Sequence, residues 1–175
     1  MTLKFAAPIT NIKDMYIVRI PPSISAELPS RGMVMVQAII QGISVLIPLE
    51  PDGVKGHWME ITKTLLDEIA CSVYDTIAVE MEPADIWEEP EMPADIMNAI
   101  ATAGLKDTWQ TITTKAKWEW LRWIRSTNSS ATRQKRIIVA CSKLSHGEKR
   151  PCCFDQTRCT VPEVAKTGVL LDDAM

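Results

Sequence analysis

The chain has 175 residues, 46% of them apolar and 23% charged, with a mean hydropathy of +0.00. That balance excludes both a disordered chain and a helical membrane protein, and it allows one large domain or a small domain with a packed extension. The net charge of −3 hides an asymmetry: residues 1–100 carry six basic and fifteen acidic side chains, residues 101–175 thirteen and seven. An acidic first half joined to a basic second half points to two modules.

The opening MTLKFAAPITNIKD has no apolar run of signal-peptide length, and the stretch Met33–Leu49 is broken by Gln37, Gln41 and Gly42. The five cysteines are odd in number and fit no secreted disulfide framework. A cytoplasmic protein without a membrane span is expected.

Leu3–Ile9 and Met15–Ile20, rich in β-branched and aromatic residues, read as two strands around the turn Asn11–Asp14. Pro21-Pro22 stops the second strand, and Ser23–Leu28 is one helical turn. Met33–Ile40 and Ile43–Leu49 flank a tight turn at Gln41-Gly42. Both runs are almost continuously apolar, which predicts strands covered on both faces or rolled into a small barrel. After the loop Pro51–Gly56 come a strand at His57–Ile61, a short helix at Lys63–Ala70 and an alternating strand at Asp75–Glu82. The proline-rich, acidic stretch 83–92 reads as a linker, with the alternative that its acids lie against the basic helices.

Four helices follow in residues 93–150. The first begins at Pro93 with Asp95 in its first turn and stops at Gly104, and the second is Leu105–Ile112. The third is capped by Thr113 and runs to about Ser126; the fourth is capped within Asn128–Ser130 and closed by Gly147. Residues 151–175 show no periodicity and read as an irregular tail. The fold class is therefore α+β: a small N-terminal barrel of residues 1–82, the linker, about four helices, and the tail.

At 100° per residue the third helix sets Ala116, Trp120, Trp123 and Ile124 opposite Lys115, Trp118, Arg122 and Arg125. The fourth sets Ile137, Ile138, Cys141 and Leu144 opposite Thr132, Lys135, Arg136 and Lys143. Two amphipathic helices with solvated basic faces explain this pattern. So does a surface for an anionic partner, nucleic acid or acidic protein, with Trp118 as a stacking plane among Lys115, Arg122, Arg125, Arg133 and Arg136. Glu119 is the one acid between Lys115 and Lys143, which keeps the second reading open.

His146, Cys152, Cys153 and Cys159 form H-x5-C-C-x5-C, which is not a zinc spacing; buried thiols are the plain alternative to a metal or redox site. His57, followed by Trp58, marks a candidate pocket at the barrel–helix junction for a small-molecule site or an enzyme, with His57 as a general base near Glu60, Asp52 or Asp75; a structural or exposed histidine is the plain alternative. No G-x-S-x-G elbow and no phosphate-cradling glycine loop occur. No catalytic residues, metal or cofactor are assigned.

Pro21-Pro22, Arg31-Gly32, Gly42, Leu49-x-Pro51-x-Gly53 and Gly56-His57 together give residues 1–82 a resemblance to a family of uncharacterised bacterial domains built as a small double-split β-barrel. That family leads into its last strand with Gly-Asp, where this chain has Tyr74-Asp75. Met92-Pro93-x-Asp95, Trp123-Ile124, Thr132-Arg133-x-x-Arg136 and Arg150-Pro151-Cys152-Cys153-Phe154-Asp155 make residues 92–175 similar to the bacteriocin-protection, YdeI/OmpD-associated family. The resemblance implies a double-split barrel fused to a helical module, and an association with stress or bacteriocin tolerance; the leading expectation beside it is a non-enzymatic binding protein whose basic helical face meets an anionic partner.

Overall fold

A computed structural model describes residues 1–152 and 154–173. The chain divides into two units: Met1–Ile86 with Gln156–Cys159 and Glu163–Met175, and Trp87–Asp155 with Thr160–Pro162.

The first unit is a seven-stranded antiparallel sheet of β1 (Leu3–Pro8), β2 (Thr10–Ile12), β3 (Met15–Arg19), β4 (Val34–Ile40), β5 (Ile43–Pro51), β6 (His57–Glu60) and β7 (Thr76–Pro83). Its order is β1-β7-β4-β5-β6-β3-β2, and it curls until β1 meets β3, giving a barrel-like shell. β7 shows the cause most simply: Ile77, Val79 and Met81 are buried while Thr76, Ala78, Glu80 and Glu82 are exposed, so one face seeks a core. The core gathers Leu3, Val18, Val36, Ile40, Leu49, Met59, Ile61 and the β7 residues. Two short helices, α1 (Pro22–Ser25) and α2 (Lys63–Ile69), join the strands, and Leu65, Leu66 and Ile69 of α2 close over the core.

Two readings of this region need correction. The turn expected over Asn11–Asp14 is narrower, because Thr10–Ile12 pairs with β3 and only Lys13-Asp14 reverse the chain. The apolar run of β4 is covered on both faces only from Met33 to Val36; beyond that it alternates, leaving Ile39 exposed. The hairpin at Gln41-Gly42 forms as expected. Ile40 pairs with Ile43 across a two-residue turn whose φ angles are +48° and +83°.

Where the tail shows no periodicity, a 3-10 turn (Pro162–Val164) leads into a minimal hairpin of β8 (Ala165–Lys166) and β9 (Val169–Leu170). It is fastened to its own unit. Leu170 N–H donates to Asp52 O at 2.9 Å, and Arg19 Nε donates to Asp173 Oδ1 at 3.1 Å.

The second unit holds α3 (Ala94–Thr102), α4 (Lys106–Thr111), α5 (Thr114–Arg125) and α6 (Ser130–Ser145). Thr113 and Ser129 cap α5 and α6 by accepting from Ala116 N–H and Thr132 N–H. The core is Ile96, Ile100, Leu105, Trp109, Ile112, Ala116, Trp120, Leu121, Ile124, Ile137, Ala140 and Leu144. Trp123 packs on its edge, 6.0 Å from Trp120 in a T-shaped contact.

Candidate functional site

In the helical unit, α5 is buried on almost every side: Ala116, Lys117, Glu119, Trp120, Leu121, Arg122 and Ile124 all lie inside. This corrects the helical phasing at Arg122. The side chain placed on the solvated face is only 2% exposed and lies against Phe154, with its guanidinium 5.3 Å from the ring centre. Periodicity describes a helix alone; Phe154 is a neighbour that it cannot foresee.

The other arginines expected on the basic surface, Arg125, Arg133 and Arg136, are engaged within the unit. Arg125 donates from Nε and Nη2 to Thr160 Oγ1 at 3.2 and 3.0 Å. Arg133 grips Asp95 with two bonds of 2.8 and 2.9 Å, which hold the Asp95 carboxyl below its ordinary range. Arg136 Nη1 donates to Trp123 O, Ser126 O and Ser126 Oγ, closing the C-terminal end of α5. The acidic segment lies along α5, as its alternative reading allowed. Lys115 stands over Trp87 at 5.0 Å, Trp118 Nε1–H donates to Glu88 O at 2.8 Å, and Glu89 accepts from Thr114 and Lys117. Those two bonds keep the Glu89 carboxyl below its usual range.

The cysteine constellation is dispersed. His146 and Cys152 are exposed residues of the helical unit, Cys159 is buried in the barrel unit, and Cys153 lies outside the described residues. Among the described residues no group of three or more His, Cys, Asp or Glu is placed to hold a metal ion.

In the barrel unit, His57 and Trp58 begin β6 and are 2% and 1% exposed. Trp58 Nε1–H donates to Pro51 O at 3.2 Å. His57 is held at both nitrogens. Nε2 lies 2.8 Å from Gly32 O and Nδ1 lies 2.6 Å from Ser25 Oγ. Since a carbonyl only accepts, Nε2 carries the proton and Nδ1 takes the hydroxyl of Ser25. Burial pushes the imidazole pKa below 6.5, and nearby Arg31 works in the same direction against Asp52.

Beside this pair opens a cavity of about 590 Å³, lined by Ile20, Pro22, Ser25, Ala26, Arg31, Asp52, Val54, Lys55 and Gly56. Arg31 spans it, donating to Ser25 O at 2.6 Å, Leu28 O at 3.0 Å and Lys55 O at 2.8 Å. Asp52 Oδ1 accepts from Val54 N–H and Gly56 N–H at 2.8 Å each, so its charge is spent shaping the loop. Two cations, Arg31 and Lys55, therefore face an otherwise largely apolar recess. Sequence reasoning pointed near this place through His57 but missed Ser25 and Arg31. Their partners are 32 and 24 residues away, a distance no periodicity reports. The one available signal was the Arg31-Gly32 pair.

Comparisons with known proteins divide the chain as the fold does. Residues 5–81 match the family model described as a domain of unknown function (DUF1905), and residues 89–147 match the one described as bacteriocin-protection, YdeI or OmpD-associated. No curated protein matches the chain. No helix among the described residues is long and apolar enough to cross a membrane. The two matches cover the residues that line the cavity and the helices around α5, and together they support a fusion of a DUF1905 domain with a bacteriocin-protection, YdeI or OmpD-associated domain.

Proposed function

We propose that the protein binds a small organic anion in the barrel-unit cavity. The observation that carries this reading is Arg31 and Lys55 standing at a recess walled by Ile20, Pro22, Ala26 and Val54. An apolar body with a carboxylate or phosphate suits that lining, and the volume lies in the usual range for small-ligand sites. Two of the five N–H groups of Arg31 remain beyond its three carbonyl bonds, available to an anionic oxygen. Titration of isotope-labelled protein with benzoate and phenyl phosphate tests it. Saturable amide shifts confined to residues 20–31 and 52–56, weakened by Lys55→Glu, are expected. Flat spectra at about 10 mM of either probe, a concentration corresponding to affinities near the weak end of the measurable scale, overturn it.

A second reading follows from the family. The helical unit would contact nucleic acid or an acidic protein surface in a cytoplasmic protein of stress or bacteriocin tolerance. Its support is now Lys115 and Lys135, the exposed cations of α5 and α6, rather than the engaged arginines. Retention on heparin at low salt, lost on charge reversal at both lysines, is the outcome this reading requires.

A further inference from the structure

We infer that Ser25 is an acyl-accepting nucleophile with His57 as its general base, acting on small carboxylic esters that enter the same cavity. The inference rests on the cavity being a ligand site and goes beyond it, from binding to a reaction.

The arrangement contains the parts that acyl transfer needs. Ser25 Oγ and His57 Nδ1 are 2.6 Å apart, a nucleophile–base hydrogen bond. The base is oriented by a third group, because Nε2–H is fixed on Gly32 O at 2.8 Å and leaves Nδ1 as the lone-pair nitrogen. The burial that lowers the imidazole pKa favours the uncharged ring, the form able to accept the Ser25 proton. Arg31 Nη2 donates to the main-chain carbonyl of Ser25 itself at 2.6 Å, which holds a guanidinium beside the residue where an oxyanion would develop. Ser25 is 1% exposed overall and is one of the residues that line the cavity.

The chemistry balances with water as the only co-reactant. Ser25 Oγ attacks the ester carbonyl carbon while its proton passes to His57 Nδ1, and Arg31 faces the resulting oxyanion. The tetrahedral species collapses, breaking the bond to the alkoxide, which leaves with the proton from Nδ1. Water then attacks the acyl-serine and gives a proton to Nδ1. That proton returns to Ser25 Oγ as the carboxylic acid departs. The apolar wall of Ile20, Pro22, Ala26 and Val54 would hold the acyl group.

The test uses the intact chain with a small alkyl fluorophosphonate, followed by digestion and mass spectrometry, and with p-nitrophenyl acetate. The expected result is one adduct at Ser25 in native protein, absent after heat denaturation. The labelling rate should rise with pH along an imidazole titration and fall on the order of 10²-fold in His57→Gln. Should His57→Gln fail to fold, the pH profile of the native protein and the loss of ester hydrolysis in Ser25→Ala decide. No adduct on Ser25 in native protein, or equal labelling after denaturation, overturns the inference. Anion-induced shifts without labelling would leave the binding reading standing and remove this one; neither shifts nor labelling removes both.

Discussion

Replacing Arg136 by Met keeps the apolar stem of the side chain and deletes the guanidinium that closes α5. In the structure Nη1 lies 2.8 Å from Trp123 O, 3.2 Å from Ser126 O and 2.9 Å from Ser126 Oγ, and the guanidinium is 5.6 Å from the Trp123 ring. A charged donor contributes about 1.5–3 kcal/mol per hydrogen bond. Nη1 has only two hydrogens for its three acceptors, so the acceptors do not count separately, and the half-buried setting reduces the figure further. Contact with the indole adds about 0.5–1 kcal/mol. The variant should lose about 2–3 kcal/mol, seen as a lower urea midpoint followed by tryptophan fluorescence. For a chain of this size that corresponds to roughly 5–10 °C in melting temperature. Arg136→Lys should recover less than half, since one ammonium cannot span the Trp123 and Ser126 carbonyls together. A change under about 0.5 kcal/mol in Arg136→Met would refute the capping role. Unchanged stability with weakened heparin retention would instead return Arg136 to a partner-binding face.

His57 gives a pH-dependent stability. Its pKa is lowered on folding, so the unfolded chain takes up the proton first, near pH 6.5, and the stabilisation is complete above that value. It is lost as pH falls below 6.5 toward the folded pKa, at up to about 1.4 kcal/mol per pH unit; a wild-type slope between pH 6.5 and 5 no steeper than that of His57→Gln would sink the argument. Gly53→Ala should cost about 3 kcal/mol or more, because φ is +86° and the added Cβ would collide with the main-chain oxygen of Gly168. Gly42→Ala, at φ +83° with nothing within 4 Å, should cost only about 1–2 kcal/mol; equal urea midpoints for the two variants would contradict this. Thr113→Ala removes the hydroxyl that accepts from Ala116 N–H, and about 1 kcal/mol should vanish from the helical unit's unfolding free energy.

Local chemistry explains how much of this molecule was legible beforehand. The hairpin at Gln41-Gly42 needs φ > 0 at both turn positions, and glycine announces one of them. The caps Thr113 and Ser129 act three residues along the chain, within reach of a pattern. Trp120 follows from phase alone, being central to a helix whose apolar residues repeat at i, i+4 and i+8. Arg122 did not follow, because Phe154, far along the chain, covers it. Ser25, Arg31 and His57 are polar residues with no periodic signature, and only the curl of the sheet brings them together. The acidic segment was legible as a composition but not as a position. Whether Glu89 is solvated or bonded to Lys117 depends on a partner 28 residues away.

The same distinction moves the centre of the functional argument from the helices to the barrel. Counted along the chain, the second half is strongly basic. Counted by unit, the helical unit holds eleven basic against eight acidic side chains, because residues 88–91 belong to it, and four of its cations have been shown clamping helices or holding that segment. The barrel unit is the acidic one, with eight basic against fourteen acidic residues. In such a setting a polyanion is repelled by the surroundings of any site, whereas a small anion needs only a local reversal of potential. Arg31 and Lys55 provide that reversal at the proposed cavity, with the charge of Asp52 turned into its own loop. Discrimination is then a measurable quantity. Phenyl phosphate should shift the cavity residues while a phosphate polymer of equal phosphate concentration does not, and equal response to both would mean that the acidic surroundings exert no selection.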